Sequence, residues 1–378
     1  MRKVLFALLI FSAVFVSCIR DEAPNAECDI ENATVSTRWR DMLFYNQSDT
    51  SKSIISADST IVFYIKTGAD AYLKDLAVYF KLTAGATIKP ANGSTQDFSQ
   101  GPVRYRVTSE DGMWHRDYLV EFKPIQPITT DIKFEDFELD ASQKYYTWFE
   151  RNEYNDKLTI WATGNPGYKL SKSSAKWYQY PTVPCDSPSV SGHAVKLTTQ
   201  DTRPFGNLVN MRIAAGNLFI GTFDVSNALT DAMAATRFGL PFNKKPIVFE
   251  GYYQYQPGPE FMDRAGNIIE GKIDNPDLYA VLYRNTDENG NSFTLRGDNV
   301  LTHPNIVALA RLQNPVHGQT WQKFSIPFEY TEKIDKTMLK NYQYNLSVVF
   351  TSSIEGAEFR GAIGSTLYVD EVKLICEE

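Results

Sequence analysis

Carboxylates are the first residues in this sequence whose spacing could support chemistry. The segment "FEDFELD", residues 134–140, carries Asp136, Glu138 and Asp140 at alternate positions, so in a strand all three side chains project from one face. Glycoside hydrolysis needs two carboxyl groups about 5 to 10 Å apart, one as general acid and one as base or nucleophile. The segment lies at the very start of its half of the chain, which argues against a central active-site strand.

An aromatic run, "PIVFEGYYQYQPG" at residues 246–258, could instead support sugar binding. Strand alternation gives it an apolar face, predicted to point into a core, which holds Ile247, Phe249, Gly251, Tyr253 and Tyr255. The opposite face is polar with one aromatic ring and holds Val248, Glu250, Tyr252, Gln254 and Gln256. A flat ring can contact the CH face of a sugar while amides bind its hydroxyls. We therefore predict Tyr252 and Gln254 as carbohydrate ligands; the alternative is that solvent or a loop covers this face.

The same run offers an acid for catalysis. Glu250 lies on the predicted sugar-facing side, and Glu260 and Asp263 follow at the start of an acidic insertion that extends to residue 277. Glu250 with either of the other two is the carboxylate pair that we would test first for glycoside hydrolysis. The acids of the insertion could line a cleft or only solvate a loop.

A second aromatic cluster occurs in "SAKWYQYPTVP", residues 174–184. Its prolines place Trp177 and Tyr178 on a loop or an edge strand, and aromatic residues on loops of a rigid β scaffold are typical binding elements. We predict both as carbohydrate ligands. The alternative is that Trp177 is buried and fastens the loop to the sheet, because most tryptophans are largely buried.

Composition excludes several other functions. The formal net charge is −7, so the sequence lacks the excess of basic residues that attracts nucleic acid. The four histidines are dispersed, and neither a zinc spacing nor a nucleophilic triad is recognisable. If Cys18 is modified, three cysteines remain, which permits at most one disulfide; Cys185 with Cys376 is the candidate pair.

The N-terminus predicts export and a lipid anchor. Residues 1–17 have two basic residues followed by an apolar run too short to span a bilayer, which is typical of a signal peptide. Ser17-Cys18 resembles a bacterial lipobox, so Cys18 is predicted to be acylated and residues 18–26 to form a tether. Ile19-Arg20-Asp21-Glu22 resembles the signal that sends lipoproteins of gut anaerobes to the outer surface. An ordinary secretory signal is the alternative.

The elements that must position these residues are nearly all strands. Short runs of alternating apolar and polar residues are separated by Gly, Pro, Asn and Asp, a pattern typical of sandwiches and jelly rolls. Two prolines close together predict a short stiff linker at residues 125–129. We therefore predict one immunoglobulin-sized domain at residues 27–124 and a larger domain at residues 130–378.

The first domain resembles a known module. The segment "FKLTAGATIKPANGSTQDFSQGPVRYRVTSEDGMWHRDYLVEF", residues 80–122, resembles the immunoglobulin-like module found at the N-terminus of many surface lipoproteins of glycan utilisation. The resemblance implies a β-sandwich that acts mainly as a spacer. The domain has no clustered acids, histidines or cysteines that would contradict this role.

The second domain resembles the family called the putative carbohydrate metabolism domain. The resemblance is carried by five segments in series: "SGHAVKLTT" (191–199), "AAGNLFIGTFDV" (214–225), "RFGLPFNKKPIVFEGYYQYQPG" (237–258), "DLYAVLYRN" (277–285) and "GSTLYVDEVKL" (364–374). It implies a β-jelly-roll like those of carbohydrate-binding modules and some glycosidases. It does not imply one activity, because a shared fold does not fix function.

The resemblance to carbohydrate-binding jelly rolls also implies a structural calcium. Such domains commonly begin with a Phe-Glu strand and end with an Asp-x-Val strand that together hold the ion, and Glu138 and Asp370 occupy those positions. Apolar parity breaks between Val369 and Val372, which predicts a bulge near Asp370. Bulges expose carbonyls beside carboxylates, as calcium prefers. The alternative is that these acids are solubilising edge charges.

Together these features predict an outer-membrane lipoprotein, exposed at the cell surface, that binds carbohydrate. Its partners would be a glycan and, through the lipid, a membrane. A glycoside hydrolase on a jelly-roll scaffold is the second reading, and a structural or adhesive surface subunit is the third. The glycan, its linkage and the oligomeric state are left open by the sequence.

Overall fold

A computed structural model describes residues 24–54, 58–152, 154–225, 228 and 231–377. The predicted signal peptide and the predicted acylation site at Cys18 lie outside the described residues. The described chain is nearly all β, which confirms the predicted fold class. None of the described helices has the length and apolar character needed to cross a membrane.

The N-terminal module, residues 24–124, is a sandwich of two four-stranded sheets. Its elements are β1 (Ile30–Ser36), α1 (Arg40–Leu43), β2 (Ser51–Ser53), β3 (Thr60–Ile65), β4 (Leu76–Leu82), β5 (Thr87–Lys89), β6 (Thr95–Gln96), β7 (Val103–Thr108) and β8 (His115–Pro124), with 3₁₀ turns at Gln47–Thr50 and Asp70–Tyr72. The sheets have the orders β2-β1-β4-β6 and β3-β8-β7-β5, and only the β3–β8 pair is parallel. Alternate residues such as Ile61, Phe63 and Val78 fill the space between them.

The C-terminal module, residues 130–377, contains the remaining elements. They are β9 (Asp131–Ile132), β10 (Phe137–Leu139), β11 (Tyr146–Trp148), β12 (Glu150–Arg151), β13 (Lys157–Leu158), β14 (Trp161–Ala162), α2 (Asn165–Ser171), β15 (Thr182–Cys185), β16 (Ala194–Thr198), β17 (Gln200–Asp201), α3 (Phe205–Leu208), β18 (Ile213–Ala214), β19 (Asn217–Phe223), α4 (Ala232–Ala235), β20 (Thr236–Phe238), β21 (Leu240–Phe242), β22 (Pro246–Gln256), β23 (Phe261–Met262), β24 (Asp277–Arg284), β25 (Leu295–Arg296), β26 (Ile306–Arg311), β27 (Gly318–Pro327), β28 (Glu329–Tyr330), α5 (Lys336–Lys340), β29 (Tyr344–Thr351), β30 (Gly361–Ala362) and β31 (Thr366–Cys376), with 3₁₀ turns at Trp177–Gln179 and Gly356–Glu358.

Two sheets of this module pack face to face as a jelly roll. The large sheet has the order β25-β20-β19-β29-β24-β26-β28, with β14 and β21 also paired to it, and the small sheet has the order β15-β16-β31-β22-β27, with β9 paired to β31. The core lies between them: the Phe249 ring centroid is 4.9 Å from that of Phe324 in the small sheet and 6.1 Å from that of Phe350 in the large sheet. A second apolar cluster covers part of the outer face of the large sheet.

Strand β22 has the predicted alternation over most of its length. Phe249, Tyr253 and Tyr255 are buried in the core, as expected. Gly251 shares that face, where any Cβ would lie 2.9 Å from the Phe324 ring. The prediction is wrong for Ile247, which is exposed, because the pairing of β22 with β31 shifts between Pro246 and Val248.

The predicted bulge in β31 is present. Tyr252 pairs with Asp370 and Glu250 with Lys373, so β31 carries an extra residue at this point. Glu371 absorbs the irregularity with a positive φ of 48°. The bulge therefore reverses the apolar parity of the last strand, as the sequence pattern indicated.

The two modules contact each other through polar and aromatic groups. Asp58 of the N-terminal module forms an ion pair with Arg237, and the Asn46 amide donates to the Asn341 carbonyl at 2.8 Å. The connecting segment is itself anchored, because the amide of Ile125 donates to the Ile65 carbonyl and the side chain of Ile128 is buried in the C-terminal core. These contacts hold the described residues of the connection against both modules.

The candidate disulfide between Cys185 and Cys376 is absent. Cys28, Cys185 and Cys376 are free thiols. Cys185 pairs with Ala194 in β16, opposite the middle of β31, whereas Cys376 is at the end of β31. At about 3.3 Å per residue this separates the two along the strand by roughly 20 Å, beyond the Cα separation that a disulfide spans.

Candidate functional site

Three half-buried rings share the outer surface of the small sheet, which we call the aromatic face. They belong to Tyr252, Trp321 and Tyr368. Tyr368 pairs directly with Gln254 on one side and with Lys196 on the other, and the Lys196 ammonium lies 5.9 Å from the Tyr368 ring centroid. The face thus combines flat rings with an amide, as predicted, and also carries the cationic Lys196, which the sequence did not assign to it.

Gln254 lies on the predicted face but is not available to a ligand. Its side chain is only 6% exposed. With the amide oriented to satisfy both neighbours, its oxygen accepts from the Trp321 indole nitrogen at 3.0 Å and its nitrogen donates to the Gln319 carbonyl at 3.2 Å. The structure thus places Gln254 among buried partners rather than at the surface, and Gln254 orients Trp321, a ring that the sequence did not assign to the site.

Tyr252 stands beside a loop that Asp370 holds in place. The Asp370 carboxylate is fully buried and accepts from the backbone amides of Val190 at 2.6 Å, Ser191 at 3.1 Å and Glu371 at 2.8 Å. Burial raises the pKa of this carboxyl, and the three amides act in the opposite direction. Asp370 thereby fastens the 190–191 loop at the edge of the aromatic face.

The second predicted cluster is exposed. Trp177 and Tyr178 lie in a 3₁₀ turn and are 43% and 53% exposed. Their rings meet edge to face at 5.3 Å, and Trp177 also contacts Tyr146 edge to face at 5.5 Å. Trp177 is therefore not buried, contrary to the alternative in which it fastens the loop to the sheet. Both rings are accessible to a ligand.

The predicted carboxylate pair does not assemble. Glu250 lies opposite Ser325 and Lys373, six residues before the end of β22, which at strand spacing is about 20 Å from the insertion that carries Glu260 and Asp263. Asp263 accepts from the amides of Ala265 and Asn267 at 2.9 and 2.8 Å, and bonds from Asn267 lower its pKa. The separation of Glu250 from the insertion is larger than the one that glycoside hydrolysis requires, so the structure does not bring Glu250 together with Glu260 or Asp263.

The two acids proposed for calcium have other partners. Glu138 forms an ion pair with Lys157, and Asp370 binds three amides. Within the described ranges, no cluster of three or more His, Cys, Asp or Glu residues could hold a metal ion. The groups that contact the Asp370 carboxylate are backbone N–H donors, whereas calcium is ligated by oxygen atoms. A bound cation stays a prediction.

A cleft of about 560 Å³ opens on the outer face of the large sheet. Its floor contains Phe219, Tyr279 and Val349 from three neighbouring strands. Half-buried rings line its walls, and they belong to Phe205, Phe223 and Phe359. Small side chains at Gly167, Ala215, Ala232, Gly297 and Gly356 keep the cleft open. Its volume and mainly apolar lining with a few polar groups are typical of ligand sites.

Most charged groups of the cleft already have partners. Asp277 accepts two bonds from the Arg311 guanidinium at 2.9 and 2.8 Å; burial raises the pKa of Asp277, and Arg311 opposes the shift. Glu355 forms ion pairs with Lys272 and Arg360. Asp298, by contrast, lies exposed in the lining. The carboxylates of Asp277 and Glu355 are thus occupied by cationic partners.

The cleft was missed because its residues come from distant parts of the chain. β24 is buried along almost its whole length, on both faces, so alternation along "DLYAVLYR" could not distinguish a core side from a cleft side. The available signal was this continuous apolar character, which indicates a sheet covered on both faces.

Comparisons with known proteins agree with this architecture. Residues 133–375 match the family described as "Putative carbohydrate metabolism domain", and residues 43–121 match the family described as "SGBP, N-terminal". Among solved structures, a crystal structure of "a putative glycoside hydrolase" from Bacteroides thetaiotaomicron VPI-5482 is 39% identical, covers 95% of this chain and 99% of that chain, and has a TM-score of 0.68. Another, also of "a putative glycoside hydrolase", from Bacteroides vulgatus ATCC 8482, is 35% identical, covers 67% of this chain and 100% of that chain, and has a TM-score of 0.61. No protein with a curated description matches the chain.

The predicted resemblance is thus confirmed for both modules. The family model covers nearly all of the C-terminal module and more than half of the whole sequence. The similarity to the Bacteroides thetaiotaomicron structure extends over both modules. The chain belongs to the Putative carbohydrate metabolism domain family.

Proposed function

We propose that this protein is a lipoprotein of the outer cell surface that binds a glycan without cleaving it, and that the glycan occupies the cleft over the large sheet. The observation that carries the proposal is the shape and lining of that cleft, an open groove with rings on its walls in a domain related to carbohydrate metabolism. Sugar CH faces pack against such rings, and a few polar groups fix their orientation.

The aromatic face of the small sheet is the competing location. Tyr252, Trp321 and Tyr368 lie half-buried on the outer surface of one sheet, with Trp177 and Tyr178 on an exposed turn of the same module. Rings at such positions could stack on an extended chain. Because a flat surface buries less of a ligand than a cleft does, the cleft is the stronger candidate.

The remaining parts of the proposal follow from the sequence. Acylation of Cys18 would attach the chain to the membrane, and the N-terminal module would separate the glycan site from that membrane. Support for the second role comes from the match of residues 43–121 to an N-terminal module family.

A glycan array with wild-type and variant proteins tests the site. Ala357→Trp would place a ring in the cleft from an exposed position in its wall, and Phe205→Ala would remove one of its rings. Each change should weaken glycan binding at least tenfold, about 1.4 kcal/mol. Ala91→Trp, at an exposed alanine of the N-terminal module, is the matched control and should bind normally.

The variants Tyr252→Ala and Trp321→Ala identify the competing surface. Loss of binding in these two, with normal binding in the cleft variants, would move the site to the aromatic face. A reducing-sugar assay on the glycans that bind separates binding from hydrolysis. Product release would establish the glycoside hydrolase, and failure to bind any glycan would favour the structural or adhesive subunit.

A further inference from the structure

The turn between β7 and β8 exposes two large apolar side chains, which we call the apolar tip. Met113 is 78% exposed and Trp114 is 61% exposed, more than any other tryptophan in the described residues. Adjacent exposed residues of this size are costly in water and mark an interaction surface.

The backbone of the turn holds the tip in one conformation. The amide of Ser109 donates to the Trp114 carbonyl at 3.0 Å, and the amide of Gly112 donates to the Ser109 carbonyl at 3.0 Å. The Asp111 carboxylate accepts from the amide of Met113 at 2.9 Å. Gly112 adopts a φ of 69°, which the turn requires and which most other residues would avoid. The apolar tip is therefore presented rigidly rather than on a loose loop.

The acids of the turn bond back into the protein. The Glu110 carboxylate accepts from the amide of Asn25 at 2.8 Å, and Asp111 accepts from the Ser109 hydroxyl as well as from Met113. These bonds lower the pKa of Asp111, which stays ionised, but they direct its charge toward the turn backbone. Both carboxylates are thus bonded to groups of the protein itself.

The apolar tip is close to the predicted lipid attachment point. The amide of Asp111 donates to the carbonyl of Asn25 at 3.4 Å, so the chain near its first described residue passes beside the turn. Asn25 follows Cys18 by seven residues, which span at most about 25 Å. β8 runs for ten residues from the turn toward the C-terminal module, which places that module's entry point about 30 Å away.

We propose that Met113 and Trp114 insert into the headgroup region of the bilayer that holds the lipid on Cys18. An indole with an apolar body and one N–H donor is suited to that interface, and the flexible thioether of Met113 can enter beside it. A lipid tether alone leaves the orientation of the protein free. The apolar tip supplies a second contact, which holds the N-terminal module at the membrane and points the C-terminal module away from it.

Fluorescence quenching by brominated lipid tests the insertion. This inference rests on the proposed lipidation, so the acylated full-length protein is reconstituted into phosphatidylcholine vesicles with brominated acyl chains. Tryptophan emission should be quenched relative to vesicles without bromine. Trp114→Phe should lose most of the quenching, whereas Trp177→Phe, which removes another exposed indole, should retain it. Equal quenching in both variants would overturn the proposal.

A second set of measurements separates the apolar tip from the anchor. The mass of the mature chain shows whether Cys18 is acylated, and a chain produced without residues 1–18, with added vesicles, tests the apolar tip alone. If Cys18 is acylated but Trp114 is not quenched, membrane insertion of the apolar tip is refuted and the proposed lipid anchor is supported. If Trp114 is quenched in a chain that is not acylated, membrane insertion of the apolar tip is supported and the proposed lipid anchor is refuted. Burial of Trp114 between two copies of the chain, detected as a dimer in detergent with no bromine quenching, also overturns the proposal.

Discussion

Replacing Asp370 with alanine should lower the free energy of unfolding by about 3 kcal/mol. The change removes the acceptor of three amide bonds, and a bond to a charged group contributes about 1.5 to 3 kcal/mol. The full sum is not expected, because Val190 and Ser191 are exposed and water can reach their amides once the carboxylate is gone. The buried position of Asp370 itself keeps the loss well above that of a surface substitution.

Thermal unfolding followed by circular dichroism measures the loss. In a domain of 150 to 250 residues, about 1 kcal/mol shifts Tm by about 2 to 4 °C, so Asp370→Ala should unfold roughly 6 to 12 °C below the wild type. Asp186→Ala removes an exposed acid from the same loop and should change stability by less than about 0.5 kcal/mol. Equal shifts in the two variants would show that the amide bonds of Asp370 do not stabilise the loop.

Addition of a chelator distinguishes binding of Asp370 to the three backbone amides from the predicted ligation of calcium. If Asp370 acts only through the three amides, EDTA should leave the Tm of the wild type unchanged. If it ligates calcium, EDTA should lower the wild-type Tm and have no effect on Asp370→Ala, because binding to the native state alone stabilises it. The second pattern would refute the assignment of Asp370 to the backbone.

Three further predictions follow from packing, proton binding and redox state. Burial raises the pKa of Glu150 to about 7 from 4.5, so the native state holds a proton that the unfolded chain has lost, and stability should fall by about 3 kcal/mol as pH rises between these values. Glu150→Gln keeps an acceptor for the Trp161 indole and should flatten this fall in a series of unfolding curves; an unchanged slope would contradict it. Gly251→Ala should cost about 1 to 3 kcal/mol in urea unfolding, since its Cβ would lie 2.9 Å from the Phe324 ring, and an unaltered midpoint would mean that the core adapts freely. Dithiothreitol should not change Tm, because Cys28, Cys185 and Cys376 are free, and a drop on reduction would reveal a disulfide.

The sequence predicts a side chain's face well where one strand decides it. Phe249, Tyr253 and Tyr255 are buried as expected because alternation is a local property of β22. The bulge at Glu371 was also visible, since it reverses the parity of apolar residues within one strand. Gln254 was misjudged because its exposure depends on β27, where an irregular pairing brings Trp321 over it.

The candidate cleft could not be predicted from any one segment. Phe219 and Tyr279 become neighbours only when β19 and β24 both pair with β29. Phe205 and Phe359 belong to connections whose paths depend on the whole module. Likewise, Glu250 and Asp263 are close in sequence, yet an extended strand carries them apart.

The placement of β31 has a consequence for biosynthesis. This last strand pairs with β9, β16 and β22, so the centre of the small sheet is made from the final part of the chain. A nascent chain that has not yet released residues 366–376 from the ribosome can form hairpins but cannot close that sheet, because the pairing partners are separated by most of the module. Delayed closure makes a protein truncated before Thr366 a target for proteolysis rather than a smaller folded domain.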